Sequence, residues 1–427
     1  MPDTSRPIVV DLLADNFHTR AHTVYDELRA RAPIVFAELP EQPGRGFWMI
    51  TGYAAAEAAL RDSRLASNPR ALLSPAQLAA RARAGITEPP NTMLLSDPPE
   101  HTRLRRAAQL AFTPRSVTAL RPSMIRHAER LLDDAEQAAR DGGGTVDLLH
   151  AYAYPLSLTV LGDILGFPEE WHEGLHDLAV RAATASTPLS GPDPVLRAQL
   201  DAYTRELVVR KRRKPGDDLV SRLAHPASGR DALSDPELQA MIGLLVAAGF
   251  ETSASLIASA VLSLLTHPDQ WAALREDPSL AAATVEETMR YWGPVESATM
   301  RLALAPLELG EQRVDRGDRV LVFTAAANRD PAHVPDPHRF DIHRAPRPHL
   351  GFSGGIHNCM GAALARTEVA IALTTLAARW PGVRPAADPA EPHWRPGMGL
   401  RGLRTLPVRP RGRTGAPKAP SAQGVRP

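Results

Sequence analysis

The sequence predicts a mainly α fold with small β-sheets, an α+β arrangement, on three observations. Helical periodicity covers most of the chain, strand-like runs are short and few, and one helical segment, 235–266, outlasts all the others. An amphipathic stretch at 17–31 leads into PIVFAEL (33–39) and GFWMIT (46–51), strand-like runs joined by the turn PEQPGRG. Helical patterns follow at 52–61, 101–112, 115–140, 154–165, 169–186, 194–213 and 216–224. The long segment opens on Ser234-Asp235-Pro236, a capping residue with proline in the first turn, and closes on His267-Pro268. Helices at 268–276 and 279–291 precede strand-like stretches near 300–308 and 319–324. Residues 325–350 are rich in Pro, His and Arg and have no periodicity; a stretch of that kind inside a compact domain is more often functional than idle. A glycine-rich loop, a helix to about 379 and a short strand-rich end complete a single domain over 1–408. The remainder, RPRGRTGAPKAPSAQGVRP (409–427), has no acidic or aromatic residue and reads as a disordered basic tail.

Composition excludes several function classes. Of 427 residues 44 % are hydrophobic, enough for a sizeable core. A formal net charge of +1 gives no reason to expect nucleic acid as a partner. One cysteine rules out an internal disulfide. The N-terminal MPDTSRPIVVDLLADNF has no basic n-region and its apolar run is broken by Asp11, so it does not read as a signal peptide. The longest apolar stretch, MIGLLVAAGF (241–250), is about half of the roughly 20 residues that cross a bilayer. A cytoplasmic protein without a membrane anchor is expected.

The lone cysteine, Cys359, lies in HLGFSGGIHNCMGAALAR (349–366), at the mouth of a helix. Free N–H groups and the helix dipole at such a position are expected to lower its pKa and favour thiolate. Glycines at 351, 354, 355 and 361 let the backbone approach a flat ligand. A thiolate against glycine backbone suits porphyrin iron, where it pushes electron density toward O–O cleavage. The loop alone leaves three other readings open: an inert buried thiol, a zinc site short of cysteine partners, or a nucleophile served by His357.

Phe352, Gly355, Cys359 and Gly361 form FxxGxxxCxG, which resembles the haem-binding loop of the cytochrome P450 family; His357 and the following GAALAR resemble its bacterial soluble branch. Three further segments carry the resemblance in the family's order. In AGFET (248–252), a helical Thr252 returns its hydroxyl to the Ala248 carbonyl and opens a groove. The resemblance makes this the dioxygen groove, with Glu251 and Thr252 as a proton-delivering acid–alcohol pair; Phe250 departs from the more polar residue usual in bacterial members. Taken alone, AGFET reads as an irregularity in a buried helix. Glu287-Thr-Met-Arg290 matches the family's ExxR, which by itself is a solvated i, i+3 pair. The resemblance buries it and adds Arg339 of DPHRF (336–340) as a scaffold behind the haem loop. In DPPEHTRLRR (97–106), His101 and Arg105 share a helix face. By resemblance they bind the haem propionates together with Arg301 and His357, whereas Arg103 and Arg106 fit an ordinary basic, solvated face.

The resemblance implies a triangular prism of helices around a buried haem b, with Cys359 as the iron ligand. The implied activity is a monooxygenase that inserts one oxygen atom of dioxygen into a mid-sized hydrophobic molecule, tailoring a secondary metabolite by hydroxylation or epoxidation. Oxidative coupling or another non-oxygenating haem reaction is the alternative, and a sensor without turnover is the least favoured. Electrons are expected from NAD(P)H through a ferredoxin and its reductase, docking on Arg103, Arg106 and Arg366 of a monomer. The pocket is expected to be lined by the 71–94 loop, Leu244–Ala248, Val295–Met300 and Gly397–Leu400, with Met398 among them. Glu296 is the one acid expected there, either satisfied internally or meeting a cationic or hydrogen-bonding group of the substrate.

Overall fold

The computed structural model describes residues 7–14, 16–40, 42–86, 92–171, 174–175, 177–178, 181, 193–226, 232–396 and 399–411. The elements that position the site begin with β1 (Ile8–Val9), α1 (Phe17–Arg31), β2 (Ile34–Glu38), β3 (Phe47–Ile50), α2 (Tyr53–Arg61), β4 (Leu65–Ala66) and α3 (Pro75–Arg83). They continue with α4 (Glu100–Gln109), α5 (Pro114–Asp141), β5 (Val146–Asp147), α6 (Tyr154–Leu165), α7 (Pro194–Arg213) and α8 (Leu219–Ala224). Next come α9 (Asp235–Thr266), α10 (Pro268–Glu276), α11 (Ala281–Trp292), β6 (Arg301–Ala303), β7 (Leu307–Leu309), β8 (Gln312–Val314) and β9 (Arg319–Val322). The short α12 (Thr324–Ala327), α13 (Ala362–Arg379), β10 (Arg384–Pro385) and β11 (Pro407–Arg409) close the chain.

The axis of the molecule is α9. Ser234 caps it by accepting from the Glu237 N–H, and Glu237 reaches back to the Ser234 N–H at 2.8 Å, so two otherwise orphaned donors are satisfied. From Ser253 to Leu265 every residue is buried, the pattern of a core helix apolar on all sides. By length and composition α9 is long and apolar enough to cross a bilayer, but 67 % of its most apolar window is covered by the protein itself. The covering comes from α6, α7, α11 and α13, and α13 in turn packs along α5.

The main sheet has the order β1-β2-β3-β9-β6-β4. A hairpin pairs Ile34 with Ile50, and β9 joins β3 in parallel, Trp48 against Val320. Alternation along these strands sends Phe47, Met49 and Leu321 against Phe17 and Tyr25 of α1. Of the aperiodic segment 325–350, residues 328–350 form no strand or helix, whereas 325–327 belong to α12. Backbone carbonyls there are taken instead by a buried guanidinium, Arg290 Nη1 donating to Pro337 at 2.9 Å and Nη2 to Arg339 at 3.1 Å.

The domain reaches past residue 408. Arg409 pairs with Arg384 in the β10–β11 ladder, and Gly382 donates to the Arg411 carbonyl at 3.1 Å. The tail read from 409 therefore gives at least three residues to the fold; burial of Val408 beside them anchors the strand. The sequence reading also passed over α3, whose residues are all partly or fully exposed and so show no apolar face.

Candidate active site

A cavity of about 280 Å3 lies between α9 and the loop before α13. One side carries Cys359, Phe352 and Gly361, the other Leu244, Ala248 and Thr252. The loop's path depends on hydrogen bonds and glycine. Cys359 donates its N–H to the Phe352 carbonyl at 2.8 Å. Gly355 has φ +65°, and a Cβ there would lie 2.2 Å from the Leu60 carbonyl oxygen, so no other residue fits. At Gly361 a Cβ would find nothing nearer than Cys359 Sγ at 4.0 Å, which leaves backbone as the surface next to the sulfur.

The expected lowering of the thiol pKa is reversed in the protein alone. Burial pushes Cys359 up, and the Gly361 N–H, Arg105 and Arg366 pull it back only in part. The sulfur sits before the first turn of α13, which starts at Ala362, in a largely apolar cavity where desolvation dominates.

Four side chains with basic heads converge beside the loop. His101 and His357 have ring centroids 4.5 Å apart, Arg301 is 4 % exposed, and Arg105 Nη2 donates to Asn358 Oδ1 at 2.9 Å. Both ring nitrogens of His101, Nε2 of His357 and two guanidinium nitrogens of Arg301 are buried without a protein acceptor. Burial lowers the pKa of His101 and Arg301, and burial with Arg301, His101 and Arg105 drives His357 down to about 3. Buried donors with no acceptor are costly. Their arrangement suits a buried dianion, which supplies acceptors and relieves the mutual repulsion of the cations. With a thiol on a glycine floor under an apolar cavity, the residues present fit haem and its two propionates.

On α9, Thr252 Oγ1 donates to the Ala248 carbonyl at 2.7 Å, the back-bond its sequence position predicts, and Thr252 faces the cavity. Glu251 points elsewhere. It is 1 % exposed and holds Arg395, with further bonds from Ser255 (3.1 Å) and Tyr154 (3.2 Å). Burial raises its pKa against the pull of Arg395.

The ExxR pair is buried, as the resemblance implies. Arg290 Nε and Nη2 bind the two oxygens of Glu287 at 2.7 and 2.8 Å. The third arginine, however, is Arg344 and not Arg339. Arg344 Nε reaches Glu287 Oε1 at 3.3 Å, whereas the Arg339 side chain is 69 % exposed and lies 3.6 Å from Asp341. Arg339 contributes only its carbonyl, because the turn that delivers that carbonyl to Arg290 points its side chain outward.

Leu244, Ala248 and Val295 line the cavity; Met398 lies outside the described residues. Of the expected Val295–Met300 stretch only Val295 and Ala298 line it, and neither Gly399 nor Leu400 does. Met300 packs against the core between α1 and the main sheet. Glu296 is fully buried and bound by Tyr25, His18 (3.1 Å) and Arg401 (2.5 Å). Burial pushes its pKa up, but Arg401, His18 and Tyr25 outweigh burial and hold it at about 2. It is the internally satisfied case. The expected docking arginines are partly committed as well: Arg103 pairs with Glu100 and Glu237, and Arg366 with both oxygens of Glu286. Sequence reasoning missed Arg344, Arg395 and Arg401. The first lies in the same arginine-bearing segment as Arg339 and was within reach; nothing local marks the other two.

Comparison with known proteins agrees with this site. The Cytochrome P450 family profile matches residues 197–380. The chain is 40 % identical over 413 residues to the cytochrome P450 monooxygenase PikC of Streptomyces venezuelae, covering 95 % of each. It is 38 % identical to the 6-deoxyerythronolide B hydroxylase of Saccharopolyspora erythraea, covering 94 % of this chain and 98 % of that protein. Among solved structures, the tirandamycin C-bound P450 monooxygenase TamI superposes with a TM-score of 0.81 at 34 % identity, over 95 % of this chain and 100 % of that one. The fold, the cysteine loop and identity at this level over nearly the whole length lead to one conclusion: the chain belongs to the cytochrome P450 family and is a monooxygenase.

Proposed function

We propose that this enzyme hydroxylates or epoxidises a mid-sized hydrophobic metabolite of the polyketide kind, on haem b, as a monomer in the cytoplasm. The observation that carries the reading is the cavity lining, where Leu244, Ala248, Val295 and Ala298 offer an apolar surface interrupted by a few hydroxyls such as those of Thr252 and Thr324. The relatives named for 6-deoxyerythronolide B and tirandamycin C support the substrate class. Cys359 Sγ would hold the iron, and His101, Arg105, Arg301 and His357 would hold the propionates. When bound, haem would supply the chemistry for activating dioxygen. Thr252, fixed to Ala248, keeps a hydroxyl in the groove beside the reacting centre, and Glu251 is the acid next to it. Electrons come from NAD(P)H through a ferredoxin and its reductase.

The test is a screen for a substrate-induced blue shift of the Soret band, with macrolactones, linear polyketides, terpenoids and peptides compared at equal concentration. Preference for macrolactones or polyketides, followed by an oxygenated product under labelled dioxygen, is the expected result. A product with no labelled oxygen overturns the monooxygenase assignment, and a shift confined to peptides or terpenoids overturns the substrate class.

A further inference from the structure

His18, His22 and Tyr25 stand at i, i+4 and i+7 on α1, one stripe that a helix ordinarily buries as apolar side chains. His18 and Tyr25 are bound to Glu296, which also meets Arg401. His22 instead packs on Trp292 at the end of α11, with ring centroids 4.4 Å apart. Two guanidinium groups close on the same indole: Arg401 lies 4.6 Å and Arg329 5.1 Å from the Trp292 ring centroid. None of these four residues lines the cavity at Cys359.

Three basic heads thus meet around one ring, and their donors are not all used. Among the described residues, both ring nitrogens of His22 and Nε and Nη1 of Arg401 are buried without a hydrogen-bond partner. Arg329 is 3 % exposed and gives Nε and Nη2 to the Tyr291 carbonyl at 3.2 and 3.0 Å, and Nη1 to His338 Nδ1 at 3.2 Å. The neighbouring acids are already matched: Glu287 takes Arg290, Glu296 takes Arg401, and Asp26 is shared by Arg29 and His338. Among the described residues, Arg329 is left as a buried positive charge with no carboxylate against it. The field at His22 has the same sign. Besides burial, the groups that push its pKa down are Arg329, Arg401, His338 and Arg290, all of them basic. Burial first, with Arg401 and Arg290 behind it, brings Arg329 itself down to about 9.

We propose that His22, Arg401 and Arg329 bind a small monovalent anion of the halide kind beside Trp292, at a site separate from the haem cavity. Guanidinium and imidazole N–H groups are the donors such an anion accepts. Water would satisfy the unused donors equally well, but it would leave the charge of Arg329 unmatched. A single unmatched charge calls for a single negative one; a divalent anion would replace the excess by its opposite. Bound there, the anion ties α1 to the end of α11, the irregular segment and the C-terminal segment. It stabilises the folded chain and takes no part in the oxygen chemistry, so the inference does not depend on the substrate reading.

The test uses the holoenzyme and bromide. Crystals grown in bromide should show an anomalous peak in contact with the nitrogens of His22 and Arg401. In solution, unfolding is compared in potassium bromide and potassium gluconate at one ionic strength, so that screening is equal. By mass action, each tenfold rise in bromide above its dissociation constant should lower the unfolding equilibrium constant about tenfold, with no such response to gluconate. His22→Phe keeps an aromatic ring on Trp292 and removes both nitrogens; it should lose the peak and flatten the bromide response. Arg401→Lys keeps a charge for Glu296 and should weaken the apparent bromide affinity about 10–100-fold. Both variants should keep the carbon-monoxide difference band of a thiolate-ligated haem, since neither residue lines the cavity. Water at the site in bromide-grown crystals, with no anomalous peak, overturns the proposal. So does a bromide response that survives His22→Phe intact, because the ion then binds elsewhere.

Discussion

Arg290 and Arg301 are both buried, at 5 % and 4 % exposure, and they differ in what their donors meet. Arg290 gives Nε and Nη2 to Glu287 and Nη1 and Nη2 to the carbonyls of Pro337 and Arg339. Arg301 leaves Nε and Nη2 without any protein acceptor, among histidines in the same condition. The first arrangement is complete within the chain and so serves the chain; its role is to fasten an irregular segment. The second is complete only with an anion that the chain does not contain. For these two arginines burial is the same, and what separates them is whether a carboxylate of the chain meets the guanidinium: Glu287 does so for Arg290, and none among the described residues does for Arg301.

The largest effect should come from breaking the complete network. Arg290→Ala takes both short guanidinium bonds from Glu287, leaving it only Arg344 at 3.3 Å and the Asp341 N–H, and is expected to cost about 3–5 kcal/mol in chemical denaturation, as removal of one partner from a buried pair does. Arg301→Ala should do the opposite to folding, leaving the haem-free protein as stable or more so.

Glu296 extends the comparison to pH. Its folded pKa is about 2 and its ordinary value 4.5, so the unfolded chain binds the proton more readily. The stabilisation is therefore complete above the ordinary value and lost as pH falls through about 2, up to about 3 kcal/mol in all. Glu296→Gln should be less stable than wild type at neutral pH and converge with it in acid; denaturation midpoints that fall in parallel would remove Glu296 from the set of satisfied charges.

Arg301→Ala should then weaken haem retention by about 1.5–3 kcal/mol, on the order of 10–100-fold in affinity, read as haem transfer to an acceptor protein. Equal retention would mean that the unsatisfied donors do not serve the propionates.

How much of this was legible depends on sequence distance. The cysteine loop, the ExxR pair and the Thr252 back-bond each lie within one short segment, where spacing and residue type determine geometry, and the sequence identifies all three. The helices that pack on α9 were legible for the same reason: their apolar periodicity is local. The partners of Glu251 and Glu296 were not. Arg395 lies 144 residues beyond Glu251, and Tyr25 lies 271 before Glu296. A carboxyl in an apolar context signals that some partner exists but not which one, so Glu296 was read toward the pocket when the fold turns it away.

The smallest effect decides between two arginines five residues apart. The family resemblance points to Arg339 for the Glu287 network, yet Arg344 of the same irregular segment occupies that place. Arg344 touches Glu287 and also donates to the carbonyls of Pro335 (2.6 Å) and Arg339 (2.8 Å), with its side chain 15 % exposed. Its removal leaves partly buried acceptors unpaired, so Arg344→Ala should cost about 1–2 kcal/mol. Arg339→Ala removes one long, exposed contact to Asp341 and keeps the carbonyl that Arg290 uses, so its effect should stay within about 0.5 kcal/mol. Urea midpoints of the two variants test this directly. A larger loss for Arg339→Ala would restore the arrangement read from the family resemblance and overturn the one built on Arg344.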